Sequence, residues 1–103
     1  MSKRRKPMSI VVFGRRWFQK SCGNTYHTAE IYVNGDFVCK SNPQYGYESA
    51  YMTTALEELT ERNRIQPNRG EYGQFSESLR GYCNREGIQL VYSVADVGLE
   101  REL

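Results

Sequence analysis

The sequence predicts an α+β protein: an antiparallel sheet of about four strands, in the order β-β-β-α-α-β, with two helices packed on one face. Three observations favour this class. Residues 25–33 alternate apolar and polar side chains, which is the period of a half-buried strand. Asn34-Gly35 follows directly, and this pair favours a two-residue hairpin turn because both of its positions need a positive φ. From Tyr51 onward the apolar side chains recur at helical spacing instead.

The first strand is predicted over residues 10–20, where β-branched and aromatic side chains dominate. Gly14 lies inside it and predicts a bulge or a sharp bend. The second strand, residues 25–33, and the third, residues 36–40, are joined by the predicted hairpin. The face of the second strand that points away from the helices would carry Tyr26, Thr28, Glu30 and Tyr32.

Two helices are predicted from one-sided apolar stripes. The first stripe starts a helix at Glu48 or Ser49 and ends it near Arg62 or Asn63. The second helix is shorter and ends at Gly87, and a last strand follows over residues 88–95. The first stripe consists of Tyr51, Met52, Ala55, Leu56 and Leu59, and the second of Phe75, Leu79, Tyr82 and Cys83.

The chain of 103 residues is long enough for one domain, predicted over residues 9–103 and preceded by a flexible basic arm over residues 1–8. Seven of the fourteen basic residues lie in the first twenty positions, and no acidic residue precedes Glu30. From residue 21 onward there are seven basic and twelve acidic residues. This segregation creates a positive region that the net charge of +2 hides, and it predicts an anionic partner. The seven residues are Lys3, Arg4, Arg5, Lys6, Arg15, Arg16 and Lys20.

The sequence argues against a membrane-spanning protein, a zinc-binding protein and a disulfide-rich protein. No apolar run approaches the roughly 20 residues of a membrane-spanning helix. The cysteines, Cys22, Cys39 and Cys83, are odd in number and contain no CxxC pair, so neither a zinc site nor a disulfide scaffold is predicted. Three free thiols suit a reducing cytoplasm, and Cys39 and Cys83 are predicted to lie in the core.

The sequence also disfavours an enzyme. His27 is the single histidine, and the chain contains neither a nucleophile elbow nor a phosphate-binding loop. No cofactor is therefore expected. The predicted function is a small binding protein without catalytic activity.

Nucleic acid is the partner that the basic N-terminal region favours. Arg15, Arg16 and Lys20 are interleaved with Trp17 and Phe18, so basic groups would contact phosphates while aromatic rings stack on bases. Neighbouring strand residues point to opposite faces, so only one of Trp17 and Phe18 can lie on the exposed side. The candidate stacking side chains are Trp17, Tyr26 and Tyr32.

Two alternatives stay open. The first is a protein-binding module that uses the exposed sheet face and the loop with Tyr45 and Tyr47, since tyrosine often anchors interfaces. Its simplest form is a homodimer that pairs through the sheet. The second is a nucleotide-sequestering protein in which tyrosine, arginine and His27 line a pocket.

The layout of residues 10–60 resembles the double-stranded-RNA-binding domain. The resemblance rests on Gly23-Asn24-Thr25-Tyr26-His27, on Asn34-Gly35, on Tyr45-Gly46-Tyr47 and on the helix with Thr53-Thr54-Ala55-Leu56. It implies a β-β-β-α core, with His27 as the one contact residue carried over. The lysines with which that family grips phosphates are absent, because residues 48–52 hold glutamate, serine, alanine, tyrosine and methionine.

The stretch Arg15-Arg16-Trp17-Phe18, followed by residues 23–27, is similar to small uncharacterised bacteriophage proteins. That resemblance implies a protein that binds a host protein or nucleic acid inside a bacterial cell. Inhibitors of bacterial defence systems are one group of this kind.

Overall fold

The computed structural model describes residues 7–103, so the predicted phosphate contacts Lys3, Arg4, Arg5 and Lys6 lie outside the described residues. Five strands form one sheet, and two α-helices follow the first four strands in sequence. The predicted α+β class is confirmed. In chain order the elements are β1 (Ser9–Gln19), β2 (Asn24–Val33), β3 (Asp36–Lys40), β4 (Gln44–Tyr45), α1 (Ala50–Glu61), α2 (Leu79–Glu86), β5 (Gln89–Val97) and a 3₁₀ turn (Glu100–Glu102).

The sheet has the strand order β3-β2-β1-β5, and the short β4 also pairs with β2. The pairings β1–β2 and β2–β3 are antiparallel, as predicted. The pairing β1–β5 is parallel, with Ile10 opposite Leu90, so the sheet is mixed although mostly antiparallel. The two helices between β3 and β5 return the chain to the end of the sheet where β1 begins, and a crossover of this kind is what a parallel neighbour requires.

The core lies between the sheet and the two helices. Both predicted helical stripes are buried in it apart from Phe75, which is partly buried and lies before the helix. Cys39 and Cys83 are buried as predicted, while Cys22 is exposed. The fully buried strand residues that meet the helices are Ile10, Val12, Ala29 and Ile31.

Gly14 serves helix packing, and the predicted bulge at this position is wrong. β1 and β2 pair without a break from Ile10 to Gln19. A Cβ atom on Gly14 would lie 2.6 Å from the ring of Tyr51 in α1, so only glycine lets this ring approach the strand. The register shift of the sheet lies instead between β2 and β3, at Ile31 and Tyr32.

The predicted hairpin between β2 and β3 is confirmed. Asn34 and Gly35 have φ values of 52° and 86°, as a two-residue turn of this kind requires. The side chain of Asn34 also accepts hydrogen bonds from the backbone N–H groups of Met8, at 2.8 Å, and Ser9, at 3.1 Å. The described end of the predicted arm is therefore fastened to the sheet, and Pro7 is buried.

The ends of α2 follow from capping. The helix begins at Leu79 because the Ser78 hydroxyl accepts a hydrogen bond from the N–H of Gly81, at 3.0 Å. Gly87 ends it with a left-handed φ of 71°, as predicted. Within residues 7–103 neither helix is long and apolar enough to cross a membrane.

Candidate functional site

The sheet has one face against the helices and one face turned away from them, which we call the outer face. Gly14 and His27 contact α1, so they define the helix face. Side chains alternate along a strand and cross-strand partners share a face, which assigns the remaining residues. The outer face carries Val11, Phe13, Arg15 and Trp17 of β1, Tyr26, Thr28, Glu30 and Tyr32 of β2, Phe37 of β3, and Val91, Ser93 and Ala95 of β5.

Three aromatic rings form a patch at the end of the outer face next to the β2–β3 turn; we call it the hairpin cluster. Its members are Phe13, Tyr32 and Phe37. The ring centroids of Phe13 and Tyr32 lie 5.9 Å apart and those of Tyr32 and Phe37 lie 5.6 Å apart, both edge to face. Phe13 is 44% exposed and Phe37 is 57% exposed, so the cluster presents aromatic surface to solvent.

Sequence reasoning identified Tyr32 as an exposed aromatic but missed Phe13 and Phe37. Two signals could have found them. Counting back in steps of two along β1 from Trp17 reaches Phe13. A two-residue turn at Asn34-Gly35 places Phe37 directly opposite Tyr32.

A second group of rings, which we call the Trp17 cluster, lies toward the other end of the outer face. It consists of Trp17, Tyr26 and Tyr45. Trp17 and Tyr26 are stacked with centroids 6.2 Å apart, and Tyr45 meets Tyr26 edge to face at 5.9 Å. Tyr45 is 65% exposed, whereas Trp17 and Tyr26 are half-buried. Trp17 and Tyr26, predicted as stacking residues, therefore lie together, but their rings are partly covered by each other.

The C-terminal residues separate the two clusters. The 3₁₀ turn lies against β1, and the carbonyl of Leu103 accepts a hydrogen bond from the Lys40 ammonium, at 3.0 Å. Because β5 and β3 are opposite edges of the sheet, residues 98–103 must cross it, and the helix face is occupied by α1. Thr28, midway between the clusters on the outer face, is only 2% exposed, consistent with this crossing.

Arg15 and Arg16, predicted as one phosphate-binding group, point to opposite faces. Arg15 lies on the outer face, 3.7 Å from a carboxylate oxygen of Glu30. The same carboxylate accepts the hydroxyl hydrogen of Tyr32, which raises the pKa of that phenol. Lys20 follows β1 and is exposed. The charge of Arg15 is therefore partly neutralised by Glu30, while Lys20 is exposed at the end of β1.

Arg16 lies on the helix face and is held by three hydrogen bonds. Its Nε and Nη2 atoms donate to the Asp96 carboxylate, at 2.8 and 3.1 Å, and Nη1 donates to the carbonyl of Glu48, at 3.0 Å. The Asp96 hydrogen bonds raise the pKa of Arg16, chiefly by stabilising its charged form. This guanidinium joins β1, β5 and the start of the α1 segment, so it is engaged within the fold.

His27, predicted as a contact residue, is 1% exposed on the helix face and cannot reach a ligand on the outer face. Its Nδ1 lies 3.1 Å from the carbonyl oxygen of Gly46, which can only accept, so Nδ1 carries the hydrogen. Its Nε2 lies 2.6 Å from Oγ1 of Thr54 and accepts the hydroxyl hydrogen. Burial lowers the pKa of His27, so the ring is a neutral structural link between β2 and α1.

Tyr45 and Tyr47, predicted together as a partner-binding pair, lie at the same end of the molecule but have different neighbours. Tyr45 joins the Trp17 cluster, while Tyr47 lines a small pocket of about 320 Å³ at the far end of β1 and β5. Arg16 and Phe18 also line this pocket, but His27 does not. The pocket therefore brings together an arginine and a tyrosine, as the nucleotide hypothesis expects, but it lacks His27. Its arginine, Arg16, is already hydrogen-bonded to Asp96.

Within residues 7–103 the His, Cys, Asp and Glu side chains form no group of three that could hold a metal ion. Comparison of the chain with family models, with curated proteins and with solved structures gave no match. The functional conclusion therefore rests on the exposed surface and on the charge distribution along the chain.

Proposed function

We propose that the protein binds single-stranded nucleic acid without catalysis, using the hairpin cluster to stack on bases and the basic N-terminal residues to contact phosphates. One observation carries this proposal. The chain leaves the sheet toward residues 3–6 at Met8 and Ser9, which are hydrogen-bonded to Asn34 beside the hairpin cluster. In the sequence, four consecutive cations shortly precede Met8, and two phenylalanine rings are exposed at the end of the sheet where Met8 and Ser9 lie.

Stacking favours single strands over duplexes. Every base has an aromatic face that can pack on a ring such as Phe13 or Phe37, and each such contact contributes about 1–3 kcal/mol. In a duplex the base faces are already stacked on one another, so rings on the surface of a sheet cannot reach them. The edge-to-face packing within the cluster fixes the rings before a ligand binds, which lowers the entropic cost of stacking.

The phosphate contacts are assigned mainly to the N-terminal cations. From residue 7 onward the chain has ten basic and twelve acidic residues, so the folded part has no excess of positive charge. Arg16 is engaged by Asp96 and the Glu48 carbonyl, whereas Arg15 has a side chain 43% exposed and makes only a longer ion pair with Glu30, so it can turn toward a phosphate. The attraction to phosphates therefore resides in residues 3–6, supported by Arg15 and Lys20.

The test is fluorescence anisotropy of labelled single-stranded and duplex DNA and RNA at low salt. We expect tighter binding to single strands, and we expect Phe37→Ala to weaken it by about 1–3 kcal/mol, which is roughly fivefold to more than a hundredfold. Tyr72→Ala is the matched control, because Tyr72 is an exposed ring in the loop before α2 and belongs to no strand. Equal losses in both variants, or no binding by the unchanged protein, would refute the proposal.

A second candidate function is a contact with a host protein, and one observation favours it. Phe18, Tyr45 and Tyr47 are exposed at the end of the molecule opposite the hairpin cluster, and exposed aromatic side chains often anchor protein interfaces. A pull-down from bacterial lysate would test it. A bound protein should be lost with Tyr45→Ala combined with Tyr47→Ala and kept with Phe37→Ala; the opposite pattern, or no bound protein, would exclude this surface.

A further inference from the structure

The edge strand β5 carries few of the usual protections against pairing. It is nine residues long, pairs with β1 on one side, and has no strand on its other side within residues 7–103. Natural edge strands are usually shortened, bulged, or marked with lysine or proline. The segment Gln89–Val97 has none of these, and Asp96 is its single charged residue.

The free side of β5 offers a regular row of backbone groups. The N–H of Gln89 donates to the carbonyl of Met8, at 3.0 Å, so Gln89 and every second residue after it direct their peptide groups at β1. The intervening residues turn their N–H and C=O groups outward. These are Leu90, Tyr92, Val94 and Asp96.

A groove lies beside this row on the helix face. It has a volume of about 690 Å³ and opens between α2 and β5, with Leu90 and Tyr92 forming its strand side. The guanidinium of Arg80 lies 5.8 Å from the centroid of the Tyr92 ring. A strand added to β5 would place every second side chain in this groove, so backbone pairing and side-chain burial would occur together. The α2 side of the groove is formed by Ser78, Arg80, Gly81, Cys83 and Asn84.

We propose that β5 pairs antiparallel with β5 of a second copy of this chain, about a two-fold axis at Ser93. In this register Tyr92 faces Val94 of the second copy and Leu90 faces its Asp96. All four outward-facing residues of each strand then exchange hydrogen bonds, about eight in total across the pair, which is the largest number that any register of this strand allows. The two sheets become one continuous sheet with both outer faces on the same side.

The strand is complementary to itself, which is why a second copy is the occupant. The centred register places no like charges opposite each other, because Asp96 faces Leu90. It also places Val94 and Asp96 of each copy opposite Tyr92 and Leu90, which form the strand side of the other copy's groove, so a carboxylate enters a groove that the Arg80 guanidinium lines. A two-fold axis makes the same patch serve both partners, so no other surface is needed.

Charge reversal at the axis tests the proposal. Sedimentation velocity from 1 to 100 µM should show a dimer for the unchanged protein. Ser93 is exposed and faces Ser93 of the second copy, so Ser93→Asp and Ser93→Lys should each weaken the dimer by up to roughly fivefold, because like charges then lie directly opposite. An equimolar mixture of the two variants should restore dimers, since opposite charges then meet.

A backbone variant gives an independent check. Tyr92→Pro removes an outward N–H that β1 does not use, and its ring obstructs a neighbouring strand, so it should weaken the dimer by roughly tenfold or more. Tyr92→Ala keeps the N–H and is the matched control, with a smaller loss. A monomer at all concentrations, or a dimer indifferent to Ser93→Asp and Tyr92→Pro, would overturn the proposal. Neither result depends on whether the protein binds nucleic acid.

Discussion

At the scale of single residues, Gly14 lets α1 lie close to the sheet. Gly14→Ala should destabilise the protein by about 1–3 kcal/mol, because the new methyl group would meet the Tyr51 ring at 2.6 Å and force the helix away. Gly98→Ala is the matched control, since its methyl group would find its nearest neighbour at 3.9 Å. Urea unfolding of both variants measures the difference. Similar stability in the two would mean that α1 does not pack on β1 through this glycine.

Because His27 is buried, the protein should become less stable when the pH is lowered from 7.5 to 5.5. Burial lowers the pKa of His27 in the folded state below its ordinary value of 6.5. As the pH falls below 6.5, the unfolded chain takes up a proton that the folded chain resists, so the free energy of unfolding decreases. Urea unfolding at pH 7.5, 6.5 and 5.5 should show this decrease.

The control for His27 is His27→Gln, which removes the only histidine of the chain. This variant should be less stable at every pH, because the links to Gly46 and Thr54 are altered. Its stability should nevertheless depend less on pH between 7.5 and 5.5. An unchanged pH dependence would assign the effect to other groups.

Single residues also show which features of the candidate site the sequence could predict. Tyr26 and Tyr32 lie on the outer face because alternation along a strand is a local property. The partners of Arg16 could not be predicted, since Asp96 lies 80 positions away and becomes its neighbour only through the β1–β5 pairing. The full burial of His27 could not be predicted either, because it depends on where α1 packs.

At the scale of elements, Asn34 in the β2–β3 turn both adopts a positive φ and accepts hydrogen bonds from Met8 and Ser9, and substitutions can separate these two roles. Asn34→Ala should cost about 2 kcal/mol, because alanine disfavours the positive φ by roughly 1–2 kcal/mol and cannot accept the bonds from Met8 and Ser9. Asn34→Gly keeps the φ and loses only the acceptor, so it should cost about 1 kcal/mol. Thermal unfolding should rank asparagine above glycine and glycine above alanine; alanine equal to asparagine would contradict this account.

Elements fixed by local signals were predicted well, and elements fixed by distant contacts were not. The hairpin and the stripe of α1 depend on neighbouring residues, and both are confirmed. The parallel direction of β5 depends on the path of two helices, and the crossing of residues 98–103 depends on a contact between Leu103 and Lys40. Neither feature produces a periodic pattern in the sequence from which it could be predicted.

At the scale of the whole molecule, charge and aromatic surface are carried by different parts of the chain. The excess of positive charge belongs to residues 3–6, while the exposed rings of Phe13 and Phe37 belong to the sheet. Phosphate contacts respond to salt and stacking contacts do not. The two contributions to the proposed nucleic-acid binding should therefore be separable by measuring affinity at several salt concentrations.

The last prediction uses this separation. Replacing all four of Lys3, Arg4, Arg5 and Lys6 with serine should make the plot of log affinity against log salt for single-stranded nucleic acid shallower by about 2.8, since each phosphate contact contributes about 0.7. Phe37→Ala should lower the affinity at every salt concentration and leave the slope unchanged. Thermal unfolding of the serine variant checks that the fold is intact. An unchanged slope in that variant would show that the N-terminal cations do not contact phosphates, and an altered slope in Phe37→Ala would show that the two contributions are coupled.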